Sequence, residues 1–184
     1  MILTDVAQVM IGVLTKREIY ENGQNSYSVF SIKNYDENKE YDKISTQRNL
    51  NNKLAENGDL LFRLLYPNRI IYVDEKLEGL LIPSQFCIIR TDKRKMNPIV
   101  LKWYLESQQA KELLDLKVTG SIIKSMPVSS LKTLKVPDIK IEKQTQMENL
   151  INLWEEEKNV TYEILKEKEK LYDYYLKEMS NNNL

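Results

Sequence analysis

The C-terminal part of the chain contains no residue that breaks a helix. Neither glycine nor proline occurs from residue 142 to residue 184, although both recur in the part before it. Apolar side chains return there every three or four residues, which is the repeat of a helix that packs against another helix. The pattern predicts a single helix over residues 141–184, and at about 1.5 Å per residue about 38 of these residues would span roughly 57 Å.

One stripe of this predicted helix is apolar, and we expect it to form a dimer interface. Its residues are Met147, Ile151, Trp154, Leu165, Tyr172 and Tyr175. A domain of ordinary size cannot cover a rod of this length, so a second long helix is expected as its partner. Lys158, Thr161 and Lys168 interrupt the stripe, which indicates either a specified register or a partly hydrated seam. The alternative is a terminal helix that folds back on its own domain.

The part before residue 140 alternates short apolar runs with turn signals. The runs are rich in β-branched and aromatic residues, which is typical of strands, and we predict strands at Tyr27–Lys33, Asp59–Leu64, Arg69–Val73 and Gln85–Arg90. The polar residues 34–52 are predicted to form a long loop.

A helical period begins near Asn97, which we expect to cap a helix that starts at Pro98. We predict two short helices or one bent helix over residues 98–117, then a short helical turn near Ser129 and a strand at Leu134–Ile139. The fold class is therefore α+β, with a compact, mixed β-rich domain over residues 1–140 and one long coiled-coil-forming helix over residues 141–184.

Composition excludes several kinds of active site. The chain has no histidine and a single cysteine, Cys87, so Ser-His pairs, Cys-His pairs and cysteine-rich metal sites are excluded. We expect no cofactor and no metal. Cys87 lies in an apolar run and is predicted to be a small buried side chain; a lone cysteine is typical of the cytoplasm.

Charge and hydropathy set further limits. No apolar run is long enough to span a membrane, and the N-terminal residues lack the features of a signal peptide. The 27 basic and 27 acidic side chains give a formal net charge of zero. If the protein binds nucleic acid, its basic groups must therefore be collected on one face, or a partner must supply positive charge.

An ordered set of short motifs runs along the chain. The motifs are LTDVAQVMIG at 3–12, NGDLLF at 57–62, SQFCIIR at 84–90, NPIVLKWYLES at 97–107 and TGSIIKSMPVSSLKTLKVPDIKIEKQTQM at 119–147. In this order they resemble the target-recognition domain of the specificity (S) subunits of type I restriction–modification systems, followed by one of their long spacer helices. The family's subunit carries two such domains and two helices, so this chain resembles a half-length form. A single Pro137 stands where the family commonly has a proline pair.

The resemblance implies a subunit that does no chemistry. It would read one half of a split target in double-stranded DNA, while methyltransferase (M) subunits, and in restriction assemblies a restriction (R) subunit, would dock on it. Two copies that pair their helices antiparallel would read inverted half-sites with a fixed gap. Pairing with a different half-subunit would give a target with unlike halves.

Candidate DNA contacts follow from residue type and predicted loop position. Phosphate contacts are predicted for Lys16, Arg17, Arg48, Arg63, Arg69 and Lys124, with Gly120 and Ser121 as backbone and hydroxyl donors. Base contacts are predicted from the loop amides Asn22, Gln24, Asn25, Gln47 and Asn49. The alternative for each of these residues is a hydrated surface group or an ordinary turn. In the family, a basic residue follows the Gly-Ser pair directly, whereas here two isoleucines precede Lys124.

Three other functions remain open from the sequence. The first is a decoy or regulatory half-subunit that pairs with a full-length specificity subunit without reading DNA. The second is a nuclease, because Pro137-Asp138 and Glu156-x-Lys158 match the spacing of some metal-dependent nucleases. The third is a general DNA-binding repressor, although no helix-turn-helix signature is present.

Overall fold

The computed structural model describes residues 1–17, 23–119 and 124–181. Within these ranges the strands are β1 (Ala7–Ile11), β2 (Asn25–Ser28), β3 (Lys43–Thr46), β4 (Leu60–Arg63), β5 (Ile70–Tyr72) and β6 (Phe86–Thr91). The α-helices are α1 (Ile32–Asp36), α2 (Pro98–Glu106), α3 (Gln108–Asp115), α4 (Val128–Lys132) and α5 (Ile141–Asn181). Short 3-10 turns occur at Leu3–Asp5, Thr15–Arg17 and Asn51–Lys53. The predicted α+β fold class is confirmed, and the chain divides into two compact units, Met1–Gln144 and Thr145–Leu184.

The first unit is organised around a four-stranded antiparallel sheet in the order β1-β6-β4-β5. The central strand β6 is almost completely buried because both of its faces are covered. Cys87 and Ile89 face the cluster that includes the side chains of α2, α3 and α4, whereas Phe86 and Ile88 face the cluster around Phe30. Burial on both faces explains why the strand reads as a continuous apolar run.

Two of the sequence motifs meet in an ion pair beside this strand. Gly58 has φ +93°, a conformation that favours glycine, and it turns the chain into β4 directly after Asn57. Asp59 follows and is only 1% exposed. Arg90, at the end of β6, donates from Nε and Nη2 to the Asp59 carboxylate at 2.9 and 2.7 Å. These hydrogen bonds raise the pKa of Arg90 and join NGDLLF to SQFCIIR.

The first turn of α5 belongs to the first unit, where Gln144 makes three hydrogen bonds. The side-chain oxygen of Gln144 accepts a hydrogen bond from Asn97 N at 2.7 Å, and its Nε2 donates to Lys95 O and Ile139 O at 3.0 and 2.7 Å. The side chain is 1% exposed. Gln144 in the first turn of the helix therefore has a physical role, because its amide satisfies three partly buried backbone groups.

The predicted helices of the first unit agree with the structure. α2 and α3 are two separate helices, and Asn97 caps α2 by accepting hydrogen bonds from Ile99 N and Val100 N. The short helical turn predicted near Ser129 is α4. The predicted strands near residues 60, 71 and 88 are β4, β5 and β6.

Four local predictions were wrong. The strand predicted at Tyr27–Lys33 ends at Ser28, and α1 follows. Residues 34–52 are not one loop, because they contain β3, which pairs with β2. β1 was not predicted. Residues 134–139 form no strand; in this segment Lys135 makes a single bridge to Ile2.

The second unit consists of α5 from Thr145 onward, and most of its apolar side chains are exposed, whereas Met147 and Ile151 are half-buried. Leu150, Leu153 and Tyr172 are 68%, 63% and 67% exposed, and Leu165 is 52% exposed. Among the described residues, no helix combines the length and apolar character that crossing a membrane requires. The helix predicted from residue 141 is confirmed through Asn181, and the coiled coil stays a prediction.

Candidate nucleic-acid interface

Two of the predicted phosphate contacts lie at the ends of the β4–β5 loop. Arg63 closes β4 and Arg69 precedes β5, and Arg63 N donates to Arg69 O at 2.8 Å. The side chain of Asn68 fastens the loop from inside, since its Nδ2 donates to Arg63 O at 2.8 Å. The turn therefore presents both arginines from a fixed backbone.

Lys124 lies beside the β4–β5 loop. Met126 N donates to Leu64 O at 2.8 Å, and Tyr66 N donates to Lys124 O at 3.0 Å. The Lys124 ammonium lies 5.7 Å from the centre of the Tyr66 ring. Residues 63–69 and 124–126 thus form one surface, called here the loop pair. Gly120 and Ser121 lie outside the described residues.

Arg69 already has an acidic partner. Its Nη1 lies 2.8 Å from Asp36 Oδ1, and its guanidinium sits 5.5 Å above the Tyr35 ring. Both members of the ion pair are close to half exposed. The positive charge of Arg69 is therefore partly offset at the surface, and Arg63 and Lys124 contribute more to the positive potential of the loop pair.

The antiparallel pair of β2 and β3 holds the next group of predicted contacts. Asn25 Nδ2 donates to Arg48 O at 3.3 Å, and Arg48 N donates to Thr46 Oγ1 at 3.2 Å. Asn49 Oδ1 accepts a hydrogen bond from Asn51 N at 2.9 Å. The amides of Asn25 and Asn49 therefore hold the loop after β3.

Gln24, Gln47 and Asn49 are all exposed, whereas Asn25 is half-buried. The side-chain oxygen of Asn49 accepts the hydrogen bond from Asn51 N, so the side-chain amides of Gln24 and Gln47 suit base contacts better. Asn22 lies outside the described residues. Lys16 is exposed in a 3-10 turn, and the side chain of Arg17 lies outside the described part of the chain.

Sequence reasoning missed a basic loop between β6 and α2. Lys93, Arg94 and Lys95 are consecutive and exposed. The Arg94 side chain is 90% exposed and pairs with Asp92, and hydrogen bonds from Arg94 hold the pKa of Asp92 below its usual value. Lys95 Nζ donates to Asp5 O at 3.1 Å. A run of three cations in a predicted loop is the signal that could have identified this segment.

Tyr66 is a second residue that the sequence analysis did not select. It is 54% exposed at the tip of the loop pair, although tyrosine side chains are usually more buried. The sequence marks its position only as a Tyr-Pro-Asn turn.

Among the described residues, no group of three or more Asp, Glu, Cys or His side chains could hold a metal ion. Burial raises the pKa of the Cys87 thiol to about 11, which makes it a poor nucleophile. Lys158, from the nuclease-like spacing, lies 3.4 Å from Glu155 one turn away, in an ordinary exposed ion pair of a helix.

Comparison with known proteins identifies the fold. No family model matches the chain, and no curated protein sequence matches it. Solved structures do. The S subunit of a type I restriction–modification system from M. genitalium matches with a TM-score of 0.56 at 15% identity, over 85% of this chain and 38% of that one. The HsdS subunit from Thermoanaerobacter tengcongensis matches with a TM-score of 0.62 at 18% identity, over 87% of this chain and 43% of that one.

A third matching chain comes from a solved structure described as the structural basis underlying complex assembly and conformational transition of the type I R-M system. It matches with a TM-score of 0.64 at 19% identity, over 93% of this chain and 46% of that one. The chain therefore spans less than half the length of each of these solved chains. A sheet-containing domain followed by one long helix is the class of fold that the matches define. More specifically, the fold is similar to that of part of a type I S subunit, and the resemblance seen in the sequence is confirmed at the level of the fold.

Proposed function

We propose that this protein is a non-catalytic specificity subunit of a type I restriction–modification system, which reads one half of a split DNA target. The observation that carries the proposal is the fold match, because it covers the recognition-type domain and the long helix together over 85–93% of the chain. In this proposal M subunits, and an R subunit in the restricting assembly, dock on the protein in the cytoplasm.

Different loops of the domain carry side chains that suit different parts of DNA. The loop pair and the basic loop at residues 93–95 carry cations that suit phosphate oxygens. Gln24 and Gln47 carry exposed amides that suit the edges of purines. Such local clusters allow a chain of zero net charge to bind DNA.

Two copies are needed for a complete target. We propose a homodimer through antiparallel α5 helices, with Met147, Ile151, Trp154, Leu165, Tyr172 and Tyr175 in the interface. The exposure of Trp154, Leu165, Tyr172 and Tyr175 supports this pairing, because monomeric proteins rarely leave such a stripe uncovered. Two-fold symmetry then requires inverted half-sites with a fixed gap.

The direct test is genome-wide adenine methylation in cells that express this protein with its cognate M subunit, compared with cells that lack it. The expected result is loss of a motif with two inverted half-sites and a fixed gap. A lost motif with unlike halves would indicate pairing with a different half-subunit. Unchanged methylation would contradict the proposal.

Charge reversal at the loop pair tests the proposed contacts. Lys124→Glu should weaken DNA binding by about tenfold on every sequence and lower the salt slope by about one. Lys111→Glu, an exposed lysine of α3, changes the net charge equally and should have a much smaller effect. Equal effects of the two variants would remove Lys124 from the interface. The measurement is a binding isotherm at several salt concentrations.

The decoy or regulatory half-subunit is the second candidate. A formal net charge of zero favours it, because DNA-reading domains are usually basic. This candidate predicts pairing through α5 with a full-length specificity subunit and no salt-dependent affinity for DNA. The same binding isotherms therefore separate the two functions.

A further inference from the structure

Strand β1 forms one edge of the four-stranded sheet, and no other strand of the described residues lies beside its outer side. Asp92 N donates to Val6 O at 2.8 Å, and Gly12 N donates to Phe86 O at 3.0 Å. Hydrogen-bonded and non-hydrogen-bonded pairs alternate along an antiparallel ladder. The hydrogen bonds to β6 therefore fall on the even-numbered residues of this segment.

The odd-numbered residues Ala7 and Val9 direct their N–H and C=O groups away from β6. On that side, neither backbone has a hydrogen-bond partner within the described part of the chain. The end of the strand differs, because Lys53 Nζ donates to Ile11 O at 3.0 Å. The open length of the edge therefore runs from Ala7 to Val9, and each of these residues offers one donor and one acceptor.

The two edges of this sheet differ in how they are protected. Proteins commonly protect an exposed edge by keeping the strand short or by placing charges, proline or a bulge in it. Strand β5, at the opposite edge, is only three residues long and follows Arg69 directly. Strand β1 has the five residues AQVMI, without a charge or a proline. An edge without such protection is suited to accept an extended segment of another chain.

A groove of about 690 Å³ follows the outer side of β1. Thr91, Lys95 and Lys132 line it together with the residues of the strand. Thr91 is 9% exposed, and its buried hydroxyl has no hydrogen-bond partner within the described ranges. The groove therefore contains backbone groups and a side-chain hydroxyl whose hydrogen-bonding capacity is unused.

The charges that line the groove favour an acidic occupant. Asp5 and Asp92 line it, but Asp5 accepts a hydrogen bond from Ile2 N at 2.7 Å and Asp92 pairs with Arg94. Lys132 is exposed and makes no ion pair with another described residue. A carboxylate that enters the groove therefore meets an ammonium group that has no competing partner.

We propose that the outer edge of β1 binds an extended segment of a partner protein, in which acidic side chains alternate with apolar ones. Ala7 and Val9 share a buried cluster with Leu131 of α4, so Lys132 follows on the same face of the sheet. Every second side chain of the bound segment then faces α4 and carries the carboxylate for Lys132. The side chains between them lie on the face of Met10, which is half-buried.

A second copy of β1 does not meet this requirement, because AQVMI contains no carboxylate. The binding edge is also separate from the proposed reading of DNA, since backbone hydrogen bonds of a strand recognise another polypeptide.

Amide hydrogen exchange on the full chain tests the edge residue by residue. The probe is the acetylated and amidated peptide Val-Glu-Val-Glu-Val at about 1 mM. Exchange at Ala7 and Val9 should slow at least about tenfold when the peptide is added, because their N–H groups gain partners. Gln8 and Met10 are internal controls, since their N–H groups face β6 with or without the peptide. Unchanged exchange at Ala7 and Val9 would overturn the proposal.

Two isomeric peptides test the orientation of the bound strand. Methylation of the backbone nitrogens of both glutamates removes the N–H groups that face β1 and should weaken binding at least about tenfold. Methylation of the last two valine nitrogens alters N–H groups that face away from β1 and should have a much smaller effect. Isothermal titration calorimetry measures both. Equal weakening would contradict the proposed strand pairing.

Charge reversal tests the acidic character of the occupant. Lys132→Glu should weaken binding of Val-Glu-Val-Glu-Val about tenfold and strengthen binding of Val-Lys-Val-Lys-Val. Lys111→Glu, at an exposed lysine of α3, is the matched control and should change neither affinity. A preference for the acidic peptide that persists in Lys132→Glu would remove this lysine from the site and overturn the charge argument.

Two further outcomes would assign the edge to another occupant and overturn the proposal. Protection of Ala7 and Val9 that rises with protein concentration, without peptide, would mean that a second copy covers the edge. Displacement of the peptide by a DNA duplex would make the groove part of the nucleic-acid interface. None of these measurements depends on methylation, so failure of the binding edge and failure of the proposed function are distinguishable.

Discussion

The first unit and the helix α5 handle their apolar residues in opposite ways. Strand β6 is covered on both faces, and Phe86, Cys87 and Ile88 have no exposed surface. In α5, Leu165 and Tyr172 remain 52% and 67% exposed. The first unit is therefore stabilised by contacts within residues 1–144, whereas a long helix with an uncovered apolar face gains stability only when a partner covers it. Mutation and dilution should therefore affect the stability of the first unit and the pairing of α5 differently.

The largest expected effect is on the helix alone. Ile151→Asp together with Leu165→Asp places four carboxylates in the proposed dimer interface and should raise its dissociation constant at least about a thousandfold, since each burial costs several kcal/mol. The thermal unfolding of the first unit should not change. Sedimentation velocity measures the first quantity, and near-ultraviolet circular dichroism measures the second.

A matched variant adds the same charge elsewhere. Asn152→Asp with Asn159→Asp places the carboxylates on the outer side of α5 and should leave the dimer intact. A dimer of the interface variant that survives at micromolar concentration would mean that this stripe does not hold the copies together.

The next largest effect concerns the first unit and its ion pair. Asp59→Asn leaves the Arg90 guanidinium without its buried carboxylate and should lower the free energy of unfolding by about 3 kcal/mol. Glu56 also contacts Arg90, but its side chain is 61% exposed, so Glu56→Gln should change stability by less than about 0.5 kcal/mol. Urea denaturation measures both. Similar losses of stability in the two variants would show that the buried Asp59 and the exposed Glu56 contribute equally.

The elements that could be predicted from the sequence are those whose signal lies in their own residues. β6 is a continuous apolar run, and Asn97-Pro98 is a helix start that depends only on its neighbours. The weaker elements depend on distant partners. β1 is an edge strand whose burial alternates, and it is defined by pairing with β6 some 80 residues later. β3 is short and mostly polar, and it forms because β2 offers its edge.

The strand predicted at Tyr27–Lys33 shows how tertiary contacts override local propensity. Tyr27 lies in β2, but Phe30 is buried against Phe86, with ring centres 5.1 Å apart. Phe30 N donates to Leu81 O rather than to a strand of the β2–β3 pair. The chain leaves the sheet at this point, and Ile32 begins α1.

The candidate site was predictable as a set of residue types, but not as a surface. Arg63, Arg69 and Lys124 were selected as basic residues near turns, and the structure places them around one pair of loops. Sequence could not indicate that Asp36, thirty-three positions away, pairs with Arg69, or that Tyr66 meets Lys124. Both contacts join segments that are distant in sequence.

A smaller effect should appear at the first turn of α5. Gln144→Ala removes the hydrogen-bond partner of Asn97 N, Lys95 O and Ile139 O, and it should lower the free energy of unfolding of the first unit by about 2 kcal/mol. Gln146→Ala is the control, because Gln146 is exposed on the same turn and should change stability by less than about 0.5 kcal/mol. Equal stability of the two variants would contradict the structural role of the amide.

The smallest effect at neutral pH belongs to Cys87 and becomes visible only in alkali. Burial raises the pKa of its thiol from 9.0 to about 11 in the folded protein. Between these values the unfolded chain loses the proton and the folded protein keeps it, so the free energy of unfolding falls as pH rises from about 9 to about 11. Below pH 9 both states hold the proton, and the pKa shift has no effect.

Comparison with Cys87→Ala isolates this titration, since the lysines and tyrosines contribute equally to both proteins. The stability advantage of the original protein over the variant should shrink by about 2 kcal/mol between pH 8 and pH 10.5, at about 1.4 kcal/mol per pH unit once the unfolded thiol has ionised. Urea denaturation at each pH gives the difference. If the unfolding free energies of the two proteins depend on pH in the same way, the Cys87 thiol ionises in the folded state as it does in the unfolded chain. Water would then reach β6 more readily than the burial of its side chains indicates.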